Sequence, residues 1–71
     1  MLNITFRQLK IFESVSRHLS FSRAAEELHL TQPAVSMQVR SLEDVAGVPL
    51  TEQVGKRIHL TAAGDEMAGH A

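Results

Sequence analysis

Apolar residues recur near the start of the chain at Phe6, Leu9, Phe12, Val15 and Leu19, spacings of three and four that predict an amphipathic helix. Thr5-Phe6-Arg7-Gln8 has the form of a capping box, which sets that helix at about Phe6 to Arg17 or His18. A shorter helix follows, with Ser20 and Ser22 as alternative caps. In it Phe21, Ala24, Ala25 and Leu28 share one face, while Arg23, Glu26 and Glu27 look outward. His29-Leu30 makes a tight connection. Thr31 caps a third helix, and Pro33 stands in its first turn, where a missing N–H costs nothing. Val35, Val39, Leu42 and Ala46 give its apolar stripe. Gly47 is placed as the C-cap and Pro49 blocks continuation, so this helix spans about Gln32 to Val45.

The pattern changes after Pro49. Leu50, Glu52 and Val54 alternate with Thr51 and Gln53, Gly55-Lys56 can turn, and Arg57-Ile58-His59-Leu60 alternates again. A lone two-stranded hairpin is marginal, so it must pack on the helices. Thr61 is an N-cap for a last helix from Ala62, expected to continue through Ala71. The fold class is mainly α, a winged helix-turn-helix: three helices, a short β-hairpin wing and the start of a further helix. The small Ala24 and Ala25 permit close helix packing, and Leu30 can fill the space beneath the turn.

At 71 residues the chain is one small domain with a limited core. It has no Cys, so disulfides and thiolate zinc sites are excluded. Met1-Leu2-Asn3-Ile4 lacks the basic start of a signal peptide, and no apolar run approaches a membrane span, so a cytoplasmic protein with no membrane partner is expected. Seven Lys plus Arg against eight Asp plus Glu leave a formal charge of −1, where a basic total would have pointed to nucleic acid directly. The distribution changes the picture. Leu28 to Leu42 and Gln53 to Gly64 are free of acids, and the second stretch holds Lys56 and Arg57. Both could face phosphate without like-charge repulsion.

Removing the apolar stripe of the third helix leaves Thr31, Gln32, Ser36, Met37, Gln38, Arg40 and Ser41 facing outward. Gln can pair with adenine, hydroxyls and methyls fit against thymine, and Arg takes guanine or phosphate. A structural surface helix would more often carry Glu–Lys pairs. From the residues alone, a recognition helix and a plain polar surface helix both remain open.

The run Phe21-Ser22-Arg23-Ala24-Ala25-Glu26-Glu27-Leu28-His29-Leu30-Thr31-Gln32-Pro33-Ala34-Val35-Ser36 resembles the N-terminal domain of LysR-type regulators. So do Gln38, Leu42-Glu43, Gly47-Val48-Pro49-Leu50 and Leu60-Thr61-Ala62-Ala63-Gly64, nearly collinearly from Phe6 to Ala71. A narrower set, Ser36-Met37-Gln38-Val39-Arg40 with Glu52-Gln53-Val54-Gly55-Lys56 and Ile58-His59-Leu60-Thr61, is similar to regulators of Calvin-cycle (RuBisCO) operons. The resemblance implies a DNA-binding domain over 4–61, with its helix-turn-helix at 21–40, and a linker or dimerisation helix starting at 62–71. It implies a homo-dimer or higher oligomer on double-stranded operator DNA, with RNA polymerase as a further partner. This chain would hold no cofactor, and a small-molecule inducer would bind a C-terminal part outside it. Carried over by position, the DNA-binding residues are Ser22 and Arg23 near the backbone, Thr31, Gln32, Pro33, Ser36, Met37 and Arg40 at the major groove, and Lys56 and Arg57 at the tip of the wing. Many family members carry Arg where this chain has Met37, whose thioether could instead cover a thymine methyl or the helix surface. Two positions depart from the family in losing apolar volume: Thr51 stands where Phe is usual, and Ala46 where a larger aliphatic is.

Other classes are weaker. His18, His29, His59 and His70 show no metal-ligand spacing and read as solvated histidines, and Ser36 has no positioned base, so an enzyme is not expected. A protein-interaction winged helix would share the core but lack the Thr-Gln-Pro and Lys-Arg features. Molybdate-responsive and MarR-like winged helices are the nearest alternatives among DNA binders.

Overall fold

The computed structural model of the chain describes residues 4–69. Three helices, α1 (Phe6–His18), α2 (Phe21–Leu28) and α3 (Gln32–Ala46), precede an antiparallel hairpin of β1 (Thr51–Val54) and β2 (Arg57–Leu60). A short helix, α4 (Ala62–Met67), follows. Local chemistry sets the boundaries. In α1 the Thr5 hydroxyl accepts from the Gln8 N–H at 3.0 Å while Gln8 Oε1 accepts from the Thr5 N–H at 3.2 Å, completing the capping box. Ser20 caps α2 by accepting from the Arg23 N–H, which leaves Ser22 exposed in the first turn. Thr31 does the same for α3 through the Ala34 N–H, and Gly47 closes that helix by donating to Glu43 O.

The three helices enclose Ile11, Phe12, Val15, Ala24, Ala25, Val35, Val39 and Leu42, and Leu50 completes the core from beyond α3. Ala24 and Ala25 bring α2 close to its neighbours, since interaxial distance follows side-chain size. Leu30 packs against this core beneath the turn, as expected. The inward face of α1 differs from the expected stripe: Phe6 is 83% exposed, and Leu9 and Leu19 are also exposed. Each step of three residues falls about 60° short of a full turn, so Phe6 stands about 120° from Phe12 around the axis. The buried set Ile11, Phe12 and Val15 keeps a single face, with Gln8 at its edge. Gln8 Nε2 donates to Gln38 Oε1 at 3.2 Å, so Gln38 faces α1 and not outward as expected.

A polar cluster clamps α1 to α2. The buried Ser14 hydroxyl donates to Glu27 Oε2 at 2.6 Å. Arg17 bridges Glu27 (2.7 Å to each carboxylate oxygen) and Glu13, and His18 Nε2 lies 3.2 Å from Glu27. The Arg17 guanidinium, then the Ser14 hydroxyl, hold the Glu27 carboxyl well below the usual carboxylate range, and Arg17 lowers Glu13 as well.

In the hairpin Thr51 pairs with Leu60 and Val54 with Arg57. Gly55 enters the turn at φ 65°, and Lys56 follows with ordinary φ, the sign pattern of a type II′ turn. Thr51, Ile58 and Leu60 turn toward the core, while Val54 is exposed. Both feet of the hairpin converge on Leu50. Glu43 Oε2 accepts from the N–H groups of Leu50 (2.8 Å) and Thr51 (3.3 Å), and the Leu50 carbonyl accepts from the Thr61 N–H at 3.0 Å. The Thr61 hydroxyl donates to Pro49 O at 2.7 Å and accepts from the Gly64 N–H, capping α4. The helix α4 ends at Met67, with Ala68 as its C-cap and Gly69 at φ 84°, short of the expected run to Ala71. A left-handed residue cannot continue a right-handed helix. His70 and Ala71 lie outside the described residues.

Gly64 runs so close to Leu50 that a Cβ on it would sit well inside contact distance of the Leu50 carbonyl. Gly64→Ala is therefore expected to destabilise the chain by about 1–3 kcal/mol. Thermal melting checks it, and an unchanged melting temperature would mean the corner can open at no cost. Glu27 generates a second expectation. A carboxyl with a depressed native pKa adds stability above its unfolded value, about 4.5, and that share is lost as pH falls below it. The melting-temperature gap between wild type and Glu27→Gln should be widest near neutral pH and shrink steadily once pH drops below about 4.5. A gap independent of pH would show that the carboxylate charge is not what binds α1 to α2.

Candidate nucleic-acid interface

α2 and α3 meet through His29-Leu30-Thr31, with His29 in the left-handed region at φ 58° and its N–H donating to the last turn of α2. This sharp reversal sends the first turns of α3 outward past the start of α2. Thr31, Gln32 and Pro33 are all exposed there. Gln32 Nε2 approaches Ser36 Oγ at 3.4 Å along the same face, so both keep polar capacity for an outside partner. The Thr31 hydroxyl already accepts the capping N–H, which leaves it chiefly a donor.

Two open clefts flank the N-terminal turn of α2. The first, about 490 Å³, is lined by Phe21, Pro33, Ser36, Met37, Val39, Arg40, Glu43 and Thr51. It joins four of the expected site residues, Pro33, Ser36, Met37 and Arg40, on one wall. Met37 is 65% exposed on that rim, so its thioether faces outward and away from the core. Thr51, half-buried, also lines this cleft. Ala46 behaves alike: it lines a 240 Å³ groove with Val48, Leu50, Ala63, Glu66 and Met67.

The second cleft, about 430 Å³, lies between the hairpin and the α1–α2 corner and is lined by His18, Leu19, Ser20, Arg23, Arg57, Ile58 and His59. It unites Arg23 and Arg57, which lie far apart in the chain. The placement refines one expectation. Lys56 occupies the hairpin turn itself, whereas Arg57 opens β2 behind the tip and shares a cleft with Arg23. Ser22 is exposed in the first turn of α2 and lines neither cleft. No carboxylate lines the second cleft, and the one lining the first, Glu43, accepts backbone N–H groups.

The site residues that sequence reasoning did not single out are His18, His59, Phe21, Glu43 and Thr51 as cleft walls. Glu43 had no local signature, because its partners lie seven and eight residues further on around a Pro corner. Among the described residues no group of His, Asp or Glu is arranged to hold a metal, and no helix is long and apolar enough to cross a membrane.

Residues 6–65 match the family model for the bacterial regulatory helix-turn-helix protein, lysR family. The chain is 62% identical over 63 residues to a RuBisCO operon transcriptional regulator of Acidithiobacillus ferrooxidans, covering 89% of this chain and 20% of that protein. The chain spans about a fifth of the length of the curated relatives it matches. Among solved structures, a LysR-family transcriptional regulator from Eggerthella lenta superposes with a TM-score of 0.87 at 40% identity, over 92% of this chain and 93% of that one. The CbnR DBD–DNA complex superposes with a TM-score of 0.86 at 40% identity, over 92% of this chain and 75% of that one. The family model, the sequence relatives and the solved structures each cover most of this chain, and the chain belongs to the lysR family of bacterial regulatory helix-turn-helix proteins.

Proposed function

We propose that this chain is the DNA-reading domain of a transcription regulator that controls a carbon-fixation operon. It lays α3 in the major groove of operator DNA and the wing in the adjacent minor groove. The observation that carries the reading is the sorting of charge and hydrogen-bonding capacity. In a chain of net charge −1, Arg23, Arg40, Lys56 and Arg57 are exposed around one surface, with Gln32 and Ser36 between them. Such a face meets the two needs of DNA recognition, cations for phosphate and planar or hydroxyl groups for base edges. The operon class rests on the likeness to RuBisCO operon regulators.

Within this reading Ser22 and Arg23 hold the backbone, Thr31, Gln32, Pro33, Ser36, Met37 and Arg40 lie at the major groove, and Met37 covers a thymine methyl. A homo-dimer would place two copies on a palindromic site, the usual geometry of helix-turn-helix readers. RNA polymerase is a further partner, the setting is the cytoplasm, and an inducer would be taken outside these 71 residues. None of these roles is enzymatic.

Gln32→Ala should cost about 1–3 kcal/mol on a duplex selected from a randomised pool and relax preference at one base pair. Equal loss on the selected duplex and on random DNA would demote Gln32 to a phosphate contact. For the wing, a narrow A·T-rich minor groove attracts a guanidinium. Arg57→Ala should therefore weaken binding most when the flanks are A·T-rich, whereas Lys56→Ala should weaken all duplexes alike. If Arg57→Ala costs the same on A·T-rich and G·C-rich flanks, the wing supplies charge alone.

A further inference from the structure

The hairpin has few holds on the helices. Its inward residues Ile58 and Leu60 rest against the core, and Thr61 ties its far foot to Pro49, Leu50 and Gly64. From α3 itself, among the described residues, a single side chain hydrogen-bonds to the segment entering the hairpin, and that side chain is Glu43. One of its oxygens, Oε2, takes both the Leu50 N–H at 2.8 Å and the Thr51 N–H at 3.3 Å. Glu43 also lies three residues beyond Arg40 and lines the same cleft.

We infer that Glu43 is a positioning residue for DNA reading: its carboxylate is a strut that sets the wing relative to α3, so that both can engage one duplex together. The inference rests on the two-groove reading proposed above. Its physical basis is leverage. From Thr51 to the turn the strand runs about 10 Å, so a rotation of about 15° at its foot would carry the tip about 3 Å, more than a hydrogen bond tolerates. Once α3 is seated, the wing contact is intramolecular, and its worth depends on the tip being held where the minor groove lies. The N–H of Leu50 precedes β1 and has no strand partner; the buried Leu50 side chain fixes the foot in the core, and among the described residues Glu43 supplies its hydrogen bonds to α3. Because one oxygen accepts both bonds, the charge is dispensable: an amide oxygen in the same place can do the same work.

The test measures affinity of this chain and its variants for two duplexes sharing a selected core, one with A·T-rich and one with G·C-rich flanks. Glu43→Ala should remove at least about half of the flank discrimination that Arg57→Ala removes, and the double variant should lose little more than Arg57→Ala alone, the non-additivity of coupled residues. Preference at the base pair read by Gln32 should survive in Glu43→Ala. Glu43→Gln should restore flank discrimination even if its lost charge raises affinity on every duplex. Should Glu43→Ala fail to fold, Glu43→Asp carries the test: it keeps the charge, pulls the oxygens back by one methylene, and should lose discrimination where Gln does not. Full discrimination in Glu43→Ala, additive losses, or a Gln variant as impaired as Ala would each overturn the inference. If Arg57→Ala itself shows no dependence on flanks, the two-groove reading falls and this inference with it. If Arg57→Ala behaves as proposed and the Glu43 variants do not, the inference alone fails.

Discussion

The peptide groups of Leu50 are where the fold is joined. Its side chain is fully buried among the three helices, its N–H is held by Glu43, and its carbonyl accepts the Thr61 N–H while lying against the backbone of Gly64. A small domain has little apolar surface to bury, and a two-stranded hairpin has almost none of its own. Anchoring both feet of the hairpin on one core residue lets a weak element share the stability of the helical core. The Gly-Val-Pro-Leu and Leu-Thr-Ala-Ala-Gly segments are the two halves of that joint. Pro49 offers its carbonyl to the Thr61 hydroxyl, and Gly64 supplies the absence of a side chain that the approach requires.

The helical half is organised differently, by local caps and one polar clamp. Each of α1, α2 and α3 starts on a hydroxyl that accepts a first-turn N–H, so helix starts are fixed before packing. Packing then needs only small residues on α2 and branched or aromatic ones on α1 and α3. The Ser14–Glu27–Arg17–Glu13 cluster crosses between α1 and α2, with the one Arg17 guanidinium shared by the Glu13 and Glu27 carboxylates. Two of the eight acids are paired there, and Glu43 is held by backbone N–H groups.

The two departures from the family pattern acquire a meaning from the same geometry. Thr51 and Ala46 both flank Leu50, and each borders an open cleft. Lost apolar contact there leaves the wing more dependent on its polar ties at Glu43 and Thr61.

How far the sequence alone determined this protein can be read from particular residues. The caps Thr5, Thr31 and Thr61, the stop at Gly47 and the turn at Gly55 were legible because each acts within four residues of itself, where chain connectivity already brings donor and acceptor together. Most of the outward polar face of α3 was legible for a related reason, since helical periodicity sorts side chains around the axis. What escaped was set across distance. Nothing in the spacing of Phe6 and Leu9 says which part of a broad apolar arc meets α2 and α3, and Gln38 turned inward because Gln8 was there to meet it. Arg23 and Arg57 share a cleft, and Glu43 meets Leu50, only because the chain folds back on itself. Local hydrogen bonds and periodicity belong to the sequence, whereas the joining of distant elements is decided by which buried groups can be satisfied together, and only the tertiary structure solves that problem.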